Sequence, residues 1–407
     1  MADKKIKLLV VYSDRTGVGK FRSIGPHSYI QKHYSDDFDI DIVGINDIPS
    51  EGLESFLKKY DLIHFHKQLD SNMIIINMIK FLGIPCIIDV DDYFHLGNDH
   101  PMSIASKREK WYEPVIKHIK AADYVTTTTP IYAETLKKYN DKVFVLPNAI
   151  DEEEKQFSTS KNVSDRLRIG IICGSTHLHD IELMEHLSGV NCLDKIQYVL
   201  CGFDTRGTIT TFDMETGKSV RKPILPQQSV WAKYEKIITD NYRIVSPEHK
   251  KFLLSFIPNI DDPFINEPYR RMWTKDISQY GSHYQNVDVS LAPLKENEFN
   301  KMKSQLKEIE AGFTNTALIA EKFGPYTIDL TSMIEYGGKV NEDANSLLVE
   351  PSKNHKQWSK YIEKLAANPD MVTKLQSNLH KFVIENYSMK KIAEERVNLY
   401  KSILGRK

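Results

Sequence analysis

Short, almost uninterrupted apolar runs alternate with helical patterns twice along this chain, and a polar stretch separates the two series. The first run, Ile6-Lys-Leu-Leu-Val-Val-Tyr12, is apolar at nearly every position rather than at every second one. Such a strand has no face to offer water, so it belongs in a parallel sheet covered by helices on both sides. Asp39–Val43, Leu62–His66, Ile84–Asp89, Tyr124 into the threonine run, and Val143–Leu146 repeat the signal. Helices are expected between them at Glu54–Lys59, Ser71–Phe81, Pro114–Ala121 and Ile131–Tyr139. The second series runs through Leu167–Ile172, Ile196–Cys201, Val287–Ala292, Ala317–Ala320 and Ser346–Val349. It closes with helical patterns over Gln357–Ala367, Pro369–Glu385 and Met389–Ser402.

The pattern predicts an α/β fold of two Rossmann-like, doubly wound domains that face each other across a cleft. Residues 1–150 form the first and 151–166 a polar linker. Residues 167–385 form the second, and 386–407 a C-terminal helix crossing back onto the first. Residues 203–265 break the rhythm and read as an insertion in the second domain, with a β-hairpin turning at Glu215-Thr-Gly217. The length, 407 residues, suits two large domains at roughly 100 to 200 residues each.

Charge excludes one class of function. The 54 basic and 55 acidic residues nearly cancel, whereas a dedicated nucleic-acid binder carries a basic surplus. No apolar stretch approaches the ~18 residues that cross a bilayer. The run at Ile6–Tyr12 is too short for a signal peptide's apolar core, so a cytoplasmic protein is expected. The four cysteines, Cys86, Cys173, Cys192 and Cys201, form no C-x-x-C pair, which argues against a zinc site. Three of them lie in or beside apolar runs and read as thiols of a reducing compartment.

Several motifs carry chemistry. Ser13-Asp-Arg-Thr-Gly-Val-Gly-Lys-Phe-Arg22 follows the first strand directly. Gly17 and Gly19 allow a tight turn and a close approach to a ligand at a helix start. Phe21 after Gly19-Lys20 rules out a Walker loop, and Arg22 at the third glycine position rules out the dinucleotide fingerprint. Asp89-Val-Asp-Asp92 ends a parallel strand, where ligands gather, and suits Asp91 or Asp92 for acceptor binding or active-site electrostatics. His64 and His66 alternate with Phe65 and share one face of the strand before it. Gly174-Ser-Thr-His177 forms the loop after the second domain's first strand; its amides suit a diphosphate, and Ser175 or Thr176 equally suits a plain helix cap. Arg270-Arg271 reads as a diphosphate clamp or a surface pair. Finally, a helix starting near Lys301 would place Lys303, Lys307 and Glu310 on one face, two cations for a diphosphate and a carboxylate for ribose hydroxyls. The same spacing fits an ordinary solvated face of Lys–Glu pairs.

Asp288-Val-Ser-Leu-Ala-Pro-Leu294, Phe299-Asn300, Lys303-Ser304, Leu306-Lys307, Glu310-Ala311 and Gly324-Pro325-Tyr326 together resemble the nucleotide-sugar motif of retaining GT-B glycosyltransferases, the large family-four group. Leu146-Pro-Asn-Ala-Ile-Asp151 is similar to that family's hinge. The resemblance implies GT-B architecture, with donor bound by the second domain and acceptor by the first. It implies ribose binding by Glu310 and sugar or diphosphate contacts from Asn300, Lys303 and Ser304. The family's further Glu, eight residues before the ribose-binding one, is here Met302. His177 stands in a loop where the family commonly has an Arg and a Lys. Transfer from a nucleoside-diphosphate sugar to a carbohydrate or lipid-linked acceptor follows, with Lys303, Asp91 and Asp92 in the chemistry. Gly17, Gly19, Arg22 and Arg270 join the donor site. No metal or cofactor is implied, and contact with the inner face of a membrane suits a lipid-linked acceptor. A non-catalytic nucleotide-sugar binder and a nucleotide-sugar epimerase stay open on the same scaffold.

Overall fold

The computed structural model describes residues 4–67, 73–98, 100, 102–204, 207–213, 218–225, 228–240, 268–334, 339–351 and 355–406. The apolar runs become two six-stranded sheets. In the first, β1 (Ile6–Tyr12), β2 (Phe38–Gly44), β3 (Leu62–His66), β4 (Cys86–Val90), β5 (Tyr124–Thr127) and β6 (Val143–Val145) lie in the order β2-β1-β3-β4-β5-β6. Every pairing is parallel, with Leu8 beside Leu62 and Ile63 beside Cys86. Helices between the strands bury both faces, which is why β3 and β4 are buried at every position.

The second half opens with β7 (Leu167–Ile172) and β8 (Ile196–Phe203). A separate antiparallel hairpin follows, β9 (Thr208–Asp213) and β10 (Lys218–Pro223); its expected turn at 215–217 lies outside the described residues. The sheet then adds β11 (Tyr269–Trp273), β12 (Val289–Ala292), β13 (Ala317–Glu321) and β14 (Leu347–Val349), in the order β11-β8-β7-β12-β13-β14, again parallel.

Two sequence expectations fail here. Arg270 and Arg271 are neither a surface pair nor a cleft clamp. They belong to the buried edge strand β11. Arg271 is neutralised by Glu235 of the helix Val230–Thr239 and covered by the Phe203 and Tyr269 rings, 5.6 and 5.5 Å from its guanidinium carbon. Arg270 Nη1 donates to Asn286 Oδ1 at 3.1 Å. Neighbouring arginines hid a strand because their partners arrive only on folding. The helix expected to run on from Lys301 is instead broken into Glu298–Lys301 and Leu306–Phe313.

The last helix, Met389–Ile403, packs its Ala393, Val397 and Tyr400 into the same apolar cluster as Ile6, Leu8 and Val10 of β1. His27 Nε2 lies 2.8 Å from the Tyr400 hydroxyl. Among the described residues no helix is long and apolar enough to cross a membrane. The four cysteines are free thiols, Cys173 half-buried and the other three buried.

Candidate functional site: the cleft between the two sheets

A doubly wound sheet opens a crevice at the carboxyl ends of its strands, where the strand order reverses direction. Here the reversals fall between β1 and β3 and between β7 and β12. The loops leaving β7 and β12 face the segment that follows β4 across a cavity of roughly 340 Å³. Thr176, His177, Lys303, Ser304 and Lys307 line one wall, and Asp92, Gly97 and His100 the other.

The break in the predicted helix shapes the first wall. Asn297 caps Glu298–Lys301 by accepting from the Asn300 amide at 2.8 Å, and the turn ends at Met302. Lys303 and Ser304 therefore sit in the link ahead of Leu306–Phe313, not on a helix face with Glu310. Lys307 lies in the first turn of that second helix, and Gln305 before it makes no side-chain cap. Amides at an uncapped helix start carry partial positive charge, so the helix start adds to the two lysines that line this wall. Lys303 Nζ also lies 5.4 Å from the Phe299 ring centre.

One carboxylate holds this wall together, and the sequence did not single it out. Asp180 is buried. Its Oδ1 accepts from the Lys295 amide and the Asn300 Nδ2, each at 2.9 Å. Its Oδ2 is 2.9 Å from His177 Nδ1 and 3.8 Å from Lys303 Nζ. Burial holds the His177 imidazolium below its usual pKa despite that carboxylate, with Lys303 adding to the effect. With Nδ1 engaged, Nε2 is the free ring nitrogen for a ligand. A signal existed, since Asp180 stands three residues after His177, but its partners at 295, 300 and 303 are distant in sequence.

Other expected ligands lie elsewhere. The Glu310 side chain is 1% exposed, and its carboxylate accepts from the Tyr280 and Tyr284 hydroxyls at 2.6 and 2.9 Å and from Lys307 Nζ at 2.8 Å. It braces Lys307 and does not line the cavity. Asn300 lines the cavity, but its amide donor is spent on Asp180 and on the Lys295 carbonyl. Gly174 and Ser175 are exposed and outside the lining, and neither Ser175 nor Thr176 is the helix cap, a place taken by His177. The His177 amide donates to the Tyr234 hydroxyl at 3.1 Å, which in turn donates to the Gly174 carbonyl at 3.0 Å.

The glycine turn after β1 is not part of the lining either. Asp14 Oδ1 takes up the Thr16 and Gly19 amides at 2.7 and 3.4 Å. Gly19 is required by space: a Cβ there would fall 1.7 Å from the Asp14 carbonyl oxygen, whereas one at Gly17 meets only Ile277 at 3.8 Å. Arg22 is buried beneath the cleft and grips Asp89 with two hydrogen bonds, Nε to Oδ1 at 2.8 Å and Nη2 to Oδ2 at 2.7 Å. Its Nη1 donates to the Leu146 carbonyl and to Asn148 Oδ1. The pair ties β4 to the hinge instead of meeting a phosphate.

Across the cavity, Asp91 and Asp92 divide their roles. Asp91 lies 2.9 Å from His66 Nε2 and 2.7 Å from Lys67 Nζ, and the other His66 nitrogen is 2.7 Å from Ser13 Oγ. Burial opposes ionisation of Asp91, but Lys67 and His66 hold its pKa well below the carboxylate range. Asp92 faces the cavity, and burial together with the neighbouring Asp91 charge pushes its pKa up. His64 is buried on the same strand as His66, and burial lowers its pKa to about 3, so it stays neutral in the core. Among the described residues no cluster of three or more His, Cys, Asp or Glu side chains is arranged to hold a metal ion.

Two parallel sheets whose carboxyl edges meet over one cavity are the GT-B architecture, and solved structures agree over nearly the whole chain. A glycosyltransferase from Rickettsia africae superposes with a TM-score of 0.61 at 14% identity, covering 99% of both chains. The catalytic domain of starch synthase IV from Arabidopsis thaliana, bound to ADP and acarbose, gives 0.62 at 12% identity, covering 99% of this chain and 100% of that one. HepE from Anabaena in complex with UDP gives 0.56 at 11% identity, covering 98% and 100%. Identities this low speak for the fold alone. No protein-family model matches the chain, and no curated protein matches it by sequence.

Proposed function

We propose that this protein transfers a glycosyl group from a nucleoside-diphosphate sugar to a carbohydrate or lipid-linked acceptor, with retention at the anomeric carbon, in surface polysaccharide or glycan synthesis. The observation that carries the reading is the wall formed by Lys303, Ser304, Lys307 and the start of Leu306–Phe313, which faces Asp92 across a cavity between two Rossmann-like sheets. As the bond from the anomeric carbon to the diphosphate breaks, charge grows on the β-phosphate. Preorganised cations and amides stabilise that charge, and removing one such group typically costs about 100- to 1,000-fold in turnover. Lys303 fills that role, with Lys307 held in place by Glu310 and His177 oriented by Asp180. Asp92 lies on the acceptor side. Bound UDP in HepE and bound ADP in starch synthase IV, on the same architecture, support a nucleoside diphosphate as the donor's leaving group. The donor is a substrate, and the reaction calls for no cofactor. The protein works in the cytoplasm, at the inner face of the membrane where the acceptor is lipid-linked.

Thermal-shift screening against nucleoside diphosphates and their sugars tests the reading, because a ligand held by the native state raises its stability. One nucleotide class should stabilise the protein, and Lys303→Ala should cut transfer from the matching sugar by about 100-fold or more. No stabilisation by any nucleotide, or undiminished transfer in the variant, sinks it. One observation favours a second reading, a non-catalytic nucleotide-sugar binder: a buried methionine, Met302, stands where the resemblance implies a glutamate for the donor sugar. Donor binding without hydrolysis or transfer would decide for it.

A further inference from the structure

Met302 stands where the resemblance implies a glutamate, and it does not face the cavity. Its side chain is 4% exposed and belongs to the apolar cluster of the opposite sheet, with Phe94, Tyr132 and Leu136. The Thr135 hydroxyl of helix Pro130–Leu136 donates to its sulfur at 3.5 Å. Methionine suits such a seat, being apolar, unbranched and soft enough to fill an irregular socket.

Contacts on either side of Met302 also cross the cleft. His100 meets the Phe299 ring edge-on, with centroids 5.4 Å apart. Asn148, in the hinge strand of chain and held there by Arg22, donates from Nδ2 to Ser304 Oγ at 3.0 Å. Behind the segment lies Gly324, whose φ of +55° lets its backbone sit so close that a Cβ would fall 3.1 Å from Lys301 Cα. The link 302–305 is thus pressed from behind and plugged into the facing domain at the point where the helix breaks.

We infer that Met302 is a positioning residue that sets Lys303 and Ser304 for the donor by seating in the opposite domain, so the donor wall is complete only when the cleft is closed. The inference rests on the proposed donor site for its catalytic consequence, but the seat itself is observable without any nucleotide. Opening at the hinge withdraws the thioether from its socket, exposes the cluster around Tyr132 to water, and frees the link that carries Lys303.

The test uses the full chain with Met302→Ser, which removes the apolar plug, and Met302→Leu, which keeps its volume and apolar character. In nucleotide-free protein, Met302→Ser should raise hydrogen exchange of segments 297–306 and 130–136 together by about tenfold or more, as expected of a local opening. Met302→Leu should restore wild-type exchange. With donor, Met302→Ser should lower kcat by about tenfold or more while the nucleoside-diphosphate Kd moves by less than about threefold, the pattern of lost placement rather than lost binding. Unchanged exchange in the serine variant overturns the inference, and so does raised exchange with an unchanged kcat. Should the serine variant not fold, a Thr135→Cys/Met302→Cys pair takes its place. A short bis-thiol cross-linker, whose span makes up for the reach lost from methionine to cysteine, should link the two positions in ligand-free protein, and failure to link overturns the seat. If wild-type protein binds no nucleotide, the proposed function falls while the exchange and cross-linking results still judge the seat on their own.

Discussion

Replacing Arg22 by methionine separates a structural arginine from a phosphate ligand, and the structure fixes what to expect. Arg22 and Asp89 are 1% and 0% exposed, and the guanidinium makes four hydrogen bonds, two to Asp89 and one each to Leu146 and Asn148. Without it, Asp89 keeps the Thr126 hydroxyl at 2.6 Å and loses its only close full charge partner among the described residues. Removing one member of a buried pair typically costs about 3–5 kcal/mol, and that is the expected loss for Arg22→Met. Acidity gives a sharper signature. In the wild type Asp89 is lowered to about 2: burial works against the charge, and Arg22 outweighs it. Relative to an unfolded value of about 3.9, that stabilisation is fully present above pH ~4 and is lost as pH falls towards 2. In the variant the sign reverses. A buried, unpaired carboxyl binds its proton more tightly folded than unfolded, so the variant's stability rises as pH falls from 7 towards 4. Urea denaturation at a series of pH values should show the gap between the two proteins narrowing on acidification, and Arg22→Met/Asp89→Leu should recover most of the loss. Parallel pH profiles, or a loss below about 1 kcal/mol, would refute the assignment of Arg22 to the core.

Further outcomes follow from the cleft. Glu310→Ala strands two tyrosine hydroxyls and Lys307, so it should cost about 1–3 kcal/mol of stability in a denaturation series; unchanged stability would return Glu310 to the surface role of a free ligand. Asp180→Asn weakens the common anchor of His177, Asn300 and Lys303 and should raise the nucleoside-diphosphate Kd by about tenfold, near 1.4 kcal/mol, by calorimetry; an unchanged Kd would show that the wall assembles without it. Gly19→Ala should destabilise the protein by about 1–3 kcal/mol through its clash with the Asp14 carbonyl, without the change in donor affinity expected of a phosphate-cradling glycine.

The fold was open to sequence reasoning because its signals are local. Apolar runs buried on both faces and helical periods between them report parallel strands and their covers one segment at a time, and the expected strands from Ile6–Tyr12 to Val143–Leu146 all recur within a residue or two. β11 escaped because Arg270 and Arg271 read as solvated until Glu235 and Asn286 are brought beside them. Of the site, the segment 299–312 and the loop to His177 were legible, since residue types suited to a diphosphate cluster there within a few positions.

Alone, then, the sequence determined two doubly wound sheets, their order along the chain, and the stretch that carries Lys303 and Lys307. Tertiary structure decided which charges are free to act. Burial and pairing between residues far apart in sequence turned Arg22, Arg270 and Glu310 inward, made Asp180 a hub, split one predicted helix in two, and lodged Met302 in the other domain. A charge becomes a ligand or a brace according to what desolvates and neutralises it, and local pattern holds no record of that.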